Sequence, residues 1–398
     1  MSNEQILKNI SPNIVYAVRK FIALGAKVPV VTDSYIVLPG FCDVHVHFRE
    51  PGYYYKESIA TGSMAAVHGG YTAVCTMPNL RPVPDNLEHL KVELDAIEQN
   101  AVIPIFPYGS ITREEKGETL ADMKGISDMV CAFSDDGKGV QNELVMRNAM
   151  NEAKRLGKII AAHCESTNLL SGGYIHDGMY ALMHGHKTIS SESEFIQVAR
   201  DLRLAGETGC SYHVCHVSTK ESVDLIRKAK AAGVDVTCET APHYLTLCQD
   251  DLQEDGRFKM NPPLRNRSDM EALIEGIVDG TIDMIATDHA PHTIEEKSRG
   301  LKFSPMGIVG LETAFPIIYT NLVRTGIITL KRLVELMCTM PRKRFNITSD
   351  PGYAIFSIDK PYIINPSDFQ SKGRSTPFAG KMVYGKWLAT SVNDKIFV

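Results

Sequence analysis

The sequence of 398 residues lacks the features that mark membrane, secreted or nucleic-acid-binding proteins. It has no run of about 18 apolar residues, the length that a transmembrane helix needs. Its N-terminus, MSNEQILKNI, has no apolar stretch of the kind found in signal peptides. It contains no block of like charges, and its net charge is only −5. This charge pattern indicates no basic surface for binding nucleic acid or anionic lipid. We therefore predict a cytoplasmic protein that binds neither nucleic acid nor membrane.

Paired cysteines are also missing. The nine cysteines are odd in number, form no CxxC pair, and mostly lie inside apolar runs such as TAVCTM and MVCAF. This pattern predicts buried free thiols, and it argues against both a disulfide framework and a zinc site built from cysteine.

Short apolar runs and helical segments alternate along most of the chain. The eight runs are CDVHVH, YTAVCTMPN, VIPIFPYGS, MVCAFSDDG, IIAAHCE, YHVCHVS, VDVTCETAPH and DMIATDHAPH. Segments with helical spacing of apolar residues lie between most of them, over residues 57–68, 86–99, 142–156, 193–207, 219–232 and 268–278. Eight buried strands alternating with helices over roughly 250 residues predict an α/β protein with a (β/α)8 TIM-type barrel.

We assign residues 41–345 to the barrel. Residues 1–40 and 346–398 are predicted to form a small accessory β layer. Because the N-terminal segment is short, the sequence leaves open whether this layer is complete. A doubly wound open sheet is the alternative, but no GxGxxG or GxxxxGK[ST] motif follows the first strand.

Several of the predicted strands end in metal-binding side chains. Because the carboxyl ends of barrel strands meet at one face, these groups should converge although they are far apart in sequence. Imidazole and carboxylate ligands without thiolate suit zinc or a related ion, and one or two ions fit this number of ligands. The candidate ligands are His45, His47, His163, His216, Asp288 and one of Asp135 and Asp136, between which strand alternation does not choose.

Six of the other nine histidines do not share this position at strand ends. Those on predicted helices or loops, and one inside a strand, are interpreted as structural side chains: His68, His89, His176, His184, His186 and His213.

The motifs around these residues are more specific than a generic metal site. The sequence resembles the type I dihydroorotases of the amidohydrolase superfamily over the whole predicted barrel. The matching stretches are GFCDVHVHFREPG, MPNLRPVPD, FSDDG, AAHCE, HVCHVSTKES, APHYL, KMNPPLR, IATDHAPH and GIVGLETAF.

The resemblance implies the ligands and the substrate site. It implies that Asp136, rather than Asp135, bridges two zinc ions. Related hydantoinases and other dihydroorotases use a carboxylated lysine as the bridge, but because the fourth strand here offers an aspartate we predict no modified lysine. It implies that Arg49, Asn79 and His292 bind the substrate carboxylate and that Asn261 binds the ring amide. The implied zinc ligands are His45, His47, Asp136, His163, His216 and Asp288.

The expected reaction is the reversible cyclisation of the small molecule N-carbamoyl-L-aspartate to (S)-dihydroorotate in pyrimidine biosynthesis. A metal makes water a strong nucleophile near neutral pH, and Asp288 is the candidate general acid and base. We also expect residues 293–306, TIEEKSRGLKFSPM, to form a mobile segment over the site.

Two other readings stay open at this point. Another cyclic amidohydrolase, such as a hydantoinase or allantoinase, would share the barrel and the metals. A dihydroorotase-like chain without activity would serve as a partner subunit, although such chains commonly lack metal ligands that are present here. The resemblance also leaves open a homodimer and an association with aspartate transcarbamoylase.

Overall fold

The computed structural model describes residues 3–398 and has an α/β architecture built around parallel strands. The eight predicted runs each contain strand, and the third is split around Tyr108. The strands are Phe41–Val46, Tyr71–Thr76, Ile105–Pro107 with Gly109–Ser110, Phe133–Ser134, Ile160–Ala162, Tyr212–Val214, Val236–Thr240 and Met284–Ile285. We number them one to eight in this order.

Neighbouring strands in the chain are also neighbours in space. The first three form one parallel sheet, and Gly109–Ser110 continues into a second sheet that runs through to the eighth strand. A parallel bridge between Val46 and His289 joins the first strand to the segment that follows the eighth. The carboxyl ends of these strands therefore face one region of the molecule.

The six predicted helices are confirmed within two residues at each end. They are Ile59–His68, Leu87–Asn100, Glu143–Leu156, Glu192–Thr208, Lys220–Ala231 and Arg267–Asp279. Asn142 caps the third of them by accepting from two backbone amides, and Gly157 ends it in the left-handed conformation at φ 66°. Left-handed glycines also end the fourth and sixth helices, at Gly209 and Gly280, where the chain turns back towards the sheet.

Shorter helical segments complete this part of the chain. They are Met123–Ile126, Met179–His184, Ile294–Lys297, Gly300–Phe303, Leu311–Ile318, Leu330–Val334 and Met340–Arg344, with π-helical turns at Tyr319–Val323 and Glu335–Thr339. A two-stranded parallel pair, Ile175–His176 with Thr188–Ile189, flanks the second of these helices.

The two ends of the chain build one antiparallel sheet of five strands. In spatial order these are Val30–Val31, Tyr35–Pro39, Tyr353–Ser357, Lys386–Val392 and Lys395–Phe397. A separate antiparallel pair joins Tyr362–Ile363 to Met382–Val383. The N-terminal strands thus complete a layer with the C-terminal ones despite the short segment.

The N-terminus contains two helices that the prediction of a β layer missed. Asn3–Ile10 and Pro12–Ala23 pack their apolar faces on the five-stranded sheet, where Phe21 is fully buried and meets Tyr353 edge-on. Ser11 caps the second helix, and the apolar spacing of NIVYAVRKFIA has helical period. That signal was available in the sequence.

All nine cysteines are free, as predicted, and eight of them are buried. Cys42, Cys75 and Cys215 belong to an apolar cluster with Val44, Tyr108 and Met284. Among the described residues no helix is long and apolar enough to span a bilayer.

Candidate metal centre

The candidate ligands come from five strands and meet at their carboxyl ends. His45 lies in the first strand and His47 just after it, while the others directly follow the fourth, fifth, sixth and eighth strands. All six side chains are buried: His45, His47, Asp136, His163, His216 and Asp288. The structure therefore brings together the whole set that the sequence singled out.

Asp136 lies between two pairs of histidines. Its Oδ1 is 3.3 Å from His216 Nε2, 3.7 Å from His163 Nδ1 and 3.4 Å from His45 Nε2. Its Oδ2 is 3.4 Å from His47 Nε2. Burial would raise the pKa of this carboxyl group, but His45 and His216 hold the pKa well below its ordinary value. Asp136 thus stays ionised and lies within 3.7 Å of all four histidines.

Asp288 faces the first pair of histidines. Its Oδ1 is 3.2 Å from His47 Nε2 and 3.6 Å from His45 Nε2. Burial opposes its ionisation, yet the neighbouring His47 and His45 lower its pKa below the ordinary value. The group can therefore act as a base near neutral pH.

The donor atoms fit a divalent metal ion. His45 Nε2 is fully buried and has no hydrogen-bond partner, although it points at two carboxylates. Two triads have ligand atoms within 4.8 Å of one another, His45 with His47 and Asp288, and His45 with Asp136 and His216. A buried nitrogen lone pair beside carboxylates is what a nitrogen and oxygen site for zinc requires.

Asp135 and Asp136 have different surroundings, which strand alternation alone did not reveal. Asp135 accepts hydrogen bonds from the backbone amides of Ile111 and Thr112 at 2.8 and 3.0 Å and from the Thr112 hydroxyl. It ties the fourth strand to the loop after the third strand. Only Asp136 faces the histidines.

The candidate ligands form one wall of a cavity of about 230 Å³. Five of the six candidate ligands line this cavity, and His45 lies behind them. The four predicted substrate-binding residues line it as well: Arg49, Asn79, Asn261 and His292. Arg49 Nε donates to the Pro291 carbonyl at 3.3 Å, and the guanidinium has no ion-pair partner among residues 3–398. An unpaired, half-buried cation beside a cavity is suited to an anionic ligand.

Asn79 has a contact that the sequence did not suggest. Its Oδ1 accepts a hydrogen bond from His47 Nδ1 at 2.9 Å, which turns His47 Nε2 towards the two aspartates. The Asn79 amide NH2 remains as a donor on the side of the cavity.

His292 already has partners for both ring nitrogens. Its Nε2 donates to the Met306 carbonyl at 2.8 Å, and its Nδ1 accepts from Lys56 Nζ at 3.2 Å. Burial and the nearby charge of Arg49 lower its pKa to about 3, so the ring is neutral. To bind a substrate carboxylate, His292 would have to exchange its bond to Met306.

Three site residues adopt left-handed backbone conformations. The φ angles of Arg49, His216 and Asp288 are 61°, 34° and 48°. Non-glycine residues there cost about 1–3 kcal/mol each and persist only where the surrounding structure imposes them. Such strain concentrated at one site is typical of functional residues.

The sequence-based prediction missed two glutamates that contact the histidines, the half-buried Glu165 and the buried Glu239. Glu165 Oε2 lies 3.4 Å from His163 Nε2, and Glu239 Oε1 lies 2.5 Å from His45 Nδ1. Both follow or end apolar strands, as in AAHCE and VTCET, which is the same signal that identified the ligands.

The expected mobile segment, residues 293–306, contains two helical turns, Ile294–Lys297 and Gly300–Phe303. Lys297 Nζ is buried and donates to the carbonyls of Lys259, Pro305 and Gly307 at 3.0, 2.9 and 2.7 Å. The segment is therefore anchored at Lys297, and its end at Met306 lines the cavity.

Comparison with known families gives a match to the first half of the chain. A family model described as dihydro-orotase-like matches residues 34–222. These residues include the first six parallel strands and five of the six candidate ligands, all except Asp288.

Curated relatives match most of the chain. The dihydroorotase of Bacillus cytotoxicus is 47% identical over 370 residues, covering 91% of this chain and 86% of the relative. The dihydroorotase of Fusobacterium nucleatum is 46% identical over 413 residues and covers 100% of this chain and 97% of its own. That of Shouchella clausii is 50% identical over 369 residues, with 90% and 86% covered.

Solved structures with a similar fold include hydantoinases. The L-hydantoinase (dihydropyrimidinase) from Arthrobacter aurescens superposes with a TM-score of 0.80 at 26% identity, over 90% of this chain and 84% of that one. The D-hydantoinase (dihydropyrimidinase) from Thermus sp. has a TM-score of 0.75 at 24% identity, over 91% and 84%.

Proposed function

The chain belongs to the dihydroorotase family and is a hydrolase of cyclic amides; from that premise we propose that its metal centre and cavity catalyse the reversible cyclisation of N-carbamoyl-L-aspartate to (S)-dihydroorotate. The observation that carries this proposal is the unpaired Arg49 guanidinium in the same cavity as the Asp136 cluster. The substrate must have a carboxylate as well as an amide, and dihydroorotate has both. Hydantoin lacks that carboxylate.

We propose zinc as the metal, held as one or two ions. His45, His47 and Asp288 would hold one ion, His163 and His216 the other, and Asp136 would bridge them. This assignment is supported by the two oxygens of Asp136 facing different histidines. When bound, zinc lowers the pKa of water and polarises a carbonyl oxygen.

The residues of the chain would bind the substrate and move the proton. Arg49 would hold the substrate carboxylate through its planar fork, with Asn79 and His292 as further donors. Asn261 would hold the ring amide, and its Oδ1 is a buried acceptor without a partner.

Asp288 Oδ would take the proton from the attacking water and pass it to the ring nitrogen as the amide bond breaks. In the direction of ring closure, the same oxygen would take a proton from the carbamoyl nitrogen as that nitrogen attacks the carboxyl carbon, and would pass it to the oxygen that leaves as water. Its lowered pKa supports the ionised starting state that this role requires.

We also infer a closed (β/α)8 barrel over residues 41–345, with 1–40 and 346–398 forming the accessory domain. The inference is supported by the bridge between Val46 and His289, by the order of the parallel strands and by the similarity to hydantoinases. Closure would explain why ligands up to 243 residues apart, His45 and Asp288, lie 3.6 Å apart.

The test is turnover measured in both directions with purified protein, before and after removal of metal by a strong chelator. We expect interconversion of carbamoyl aspartate and dihydroorotate, its loss on chelation and its recovery with Zn²⁺. Hydantoin and allantoin serve as comparison substrates. Turnover that resists the chelator would contradict the metal mechanism, and preference for hydantoin would favour the hydantoinase reading. Metal-loaded protein without any turnover would favour an inactive partner subunit.

A further inference from the structure

Glu239, at the end of the seventh strand, contacts the metal centre from behind. Its Oε1 is 2.5 Å from His45 Nδ1, and the backbone amide of His216 lies 3.4 Å from the same oxygen. The Glu239 side chain is 1% exposed and that of His45 is fully buried. The carboxylate thus touches two segments that carry candidate ligands, without lining the cavity itself.

The contact determines which nitrogen of His45 is available. A carboxylate accepts hydrogen bonds, so in the neutral form of the imidazole, which is the form that binds a metal, the proton lies on Nδ1. Nε2 then has a free lone pair, and it is this atom that faces Asp136 and Asp288 without a hydrogen-bond partner. The ring is therefore oriented with its ligating nitrogen towards the metal position.

Glu239 is itself held by a second histidine. His213 Nε2 donates to Glu239 Oε2 at 3.1 Å, and His213 Nδ1 accepts from the Thr237 hydroxyl at 2.8 Å. His213 is 0% exposed and its ring packs edge-on against Phe345. With both oxygens bonded in a buried environment, the Glu239 carboxylate cannot turn away to water.

We propose that Glu239 is a positioning residue of the metal centre, which fixes the tautomer and orientation of His45, and that His213 supports it through the second oxygen. The proposal rests on the proposed zinc centre. It also gives His213, interpreted from sequence as merely structural, a specific part in the site.

A direct ligand role for Glu239 is the competing explanation, since His45, Cys215 and Glu239 also have donor atoms within 4.8 Å of one another. The 2.5 Å separation of His45 Nδ1 and Glu239 Oε1 argues against it, because two ligands of one zinc ion at about 2.0–2.2 Å lie farther apart than that. The contact is a charge-assisted hydrogen bond.

The experiment compares Zn²⁺ affinity of metal-free wild type and Glu239→Gln by competition with a chromophoric chelator, without substrate. Losing the carboxylate behind a ligating histidine costs about 10–100-fold in metal affinity, and we expect a loss of that size for at least one ion. The matched control is Glu93→Gln, because Glu93 is equally buried and bonds to Thr76, away from the histidines. The control should retain wild-type affinity.

A second measurement separates positioning from folding and from ligation. The melting temperature of the metal-free protein should differ little between the two Gln variants, whereas a structural role would lower both stability and affinity of Glu239→Gln together. The number of tightly bound ions should stay that of wild type at saturating Zn²⁺. Loss of a whole ion would make Glu239 a ligand and overturn the proposal, as would affinity within twofold of wild type.

His213→Gln provides an independent variant, and it decides the matter where Glu239→Gln does not fold. Loss of the hydrogen bond from His213 to Glu239 Oε2 should weaken Zn²⁺ binding by several-fold, which is less than the effect of replacing Glu239 itself. An unchanged Zn²⁺ affinity would contradict the proposal. The visible spectrum of the Co²⁺-loaded protein should shift in both variants but not in Glu93→Gln. These readouts need no substrate, so they stand apart from the outcome of the turnover assay.

Discussion

The metal centre and the accessory sheet bury very different side chains. At the metal centre, four histidines, two aspartates and Glu239 are at most 7% exposed and lie within hydrogen-bond or ligand distance of one another. Between the N-terminal helices and the five-stranded sheet, the buried residues are aliphatic or aromatic, such as Ile14, Phe21 and Ile355. Burying charge and strained backbone costs free energy, whereas burying apolar area supplies it.

The contrast indicates a division of labour. Apolar burial in the accessory layer and the apolar clusters stabilises the fold. This stabilisation offsets the unfavourable burial of charged groups at the strand ends. Changes at the metal centre should therefore affect chemistry more than folding, and changes in the accessory layer should do the reverse.

The largest effect is expected for Asp288→Asn. The amide cannot take up the proton, so kcat should fall by about 10²–10⁴-fold, while much of the bound zinc and the melting temperature are retained. Steady-state kinetics with metal analysis measures this. Asp279→Asn, at an exposed aspartate paired with Arg227, is the control. Unimpaired turnover of Asp288→Asn would remove this residue from its role as the base.

Phe21→Ala tests the other region. Phe21 is 0% exposed under the accessory sheet, and truncation of such a phenylalanine costs about 3–5 kcal/mol of unfolding free energy. Denaturant unfolding should show that loss, with kcat of the folded enzyme unchanged. Tyr16→Ala, in the same helix at a side chain 68% exposed, should lie within about 0.5 kcal/mol of wild type. A lower kcat for Phe21→Ala would break the division between the two regions.

Arg49→Met should affect binding of the substrate more than turnover. Loss of a charge-assisted pair with the carboxylate, worth about 1.5–3 kcal/mol, should raise KM by about 10–100-fold. Arg49→Lys should recover only part, because lysine cannot bind the carboxylate bidentately. Arg155→Met, at an exposed arginine paired with Glu152, is the control. Equal KM values for wild type and Arg49→Met would place the carboxylate elsewhere.

The smallest effect is expected where the two regions meet. His68 ends a helix and stacks on Trp387 of the accessory sheet with 3.9 Å between ring centroids, and burial lowers its pKa from 6.5 to about 4. Between those pH values the unfolded chain binds more protons, so stability falls as pH drops. His68→Phe should remove about 1 kcal/mol of that loss at pH 5, allowing for the partial exposure of the ring.

Melting temperatures of wild type and His68→Phe at pH 5 and pH 7 measure this term. The two proteins should differ more in their response to acid than in their stability at pH 7. An identical response would mean that His68 is not buried as neutral imidazole at the junction.

Much of the fold followed from local patterns. Apolar runs and helical spacing predicted the parallel strands and the six longer helices, because burial of one helix face or of a whole strand leaves a repeating signal. The N-terminal helices were missed although Asn3–Ile10 and Pro12–Ala23 have that spacing. The predicted β layer took in all of residues 1–40, whereas the strands of this segment are confined to Val30–Val31 and Tyr35–Pro39.

The candidate ligands were also visible in the sequence, since each lies where an apolar strand ends. Other properties of the site depend on contacts between strands. Asp136 and not Asp135 faces the histidines because the Asp135 carboxylate is hydrogen-bonded to Thr112. The orientation of the His45 ring follows from its hydrogen bond to Glu239, 194 residues away.

By itself, the sequence determined the alternation of strands and helices, the nitrogen and oxygen donors at strand ends and the motifs that indicate a dihydroorotase. Only the tertiary structure decided which oxygen or nitrogen of each side chain faces the metal position, that both nitrogens of His292 already have partners, and that Lys297 anchors the segment over the cavity. The reason is that burial is written into local periodicity, whereas the direction of a hydrogen bond depends on atoms that the fold brings from elsewhere in the chain.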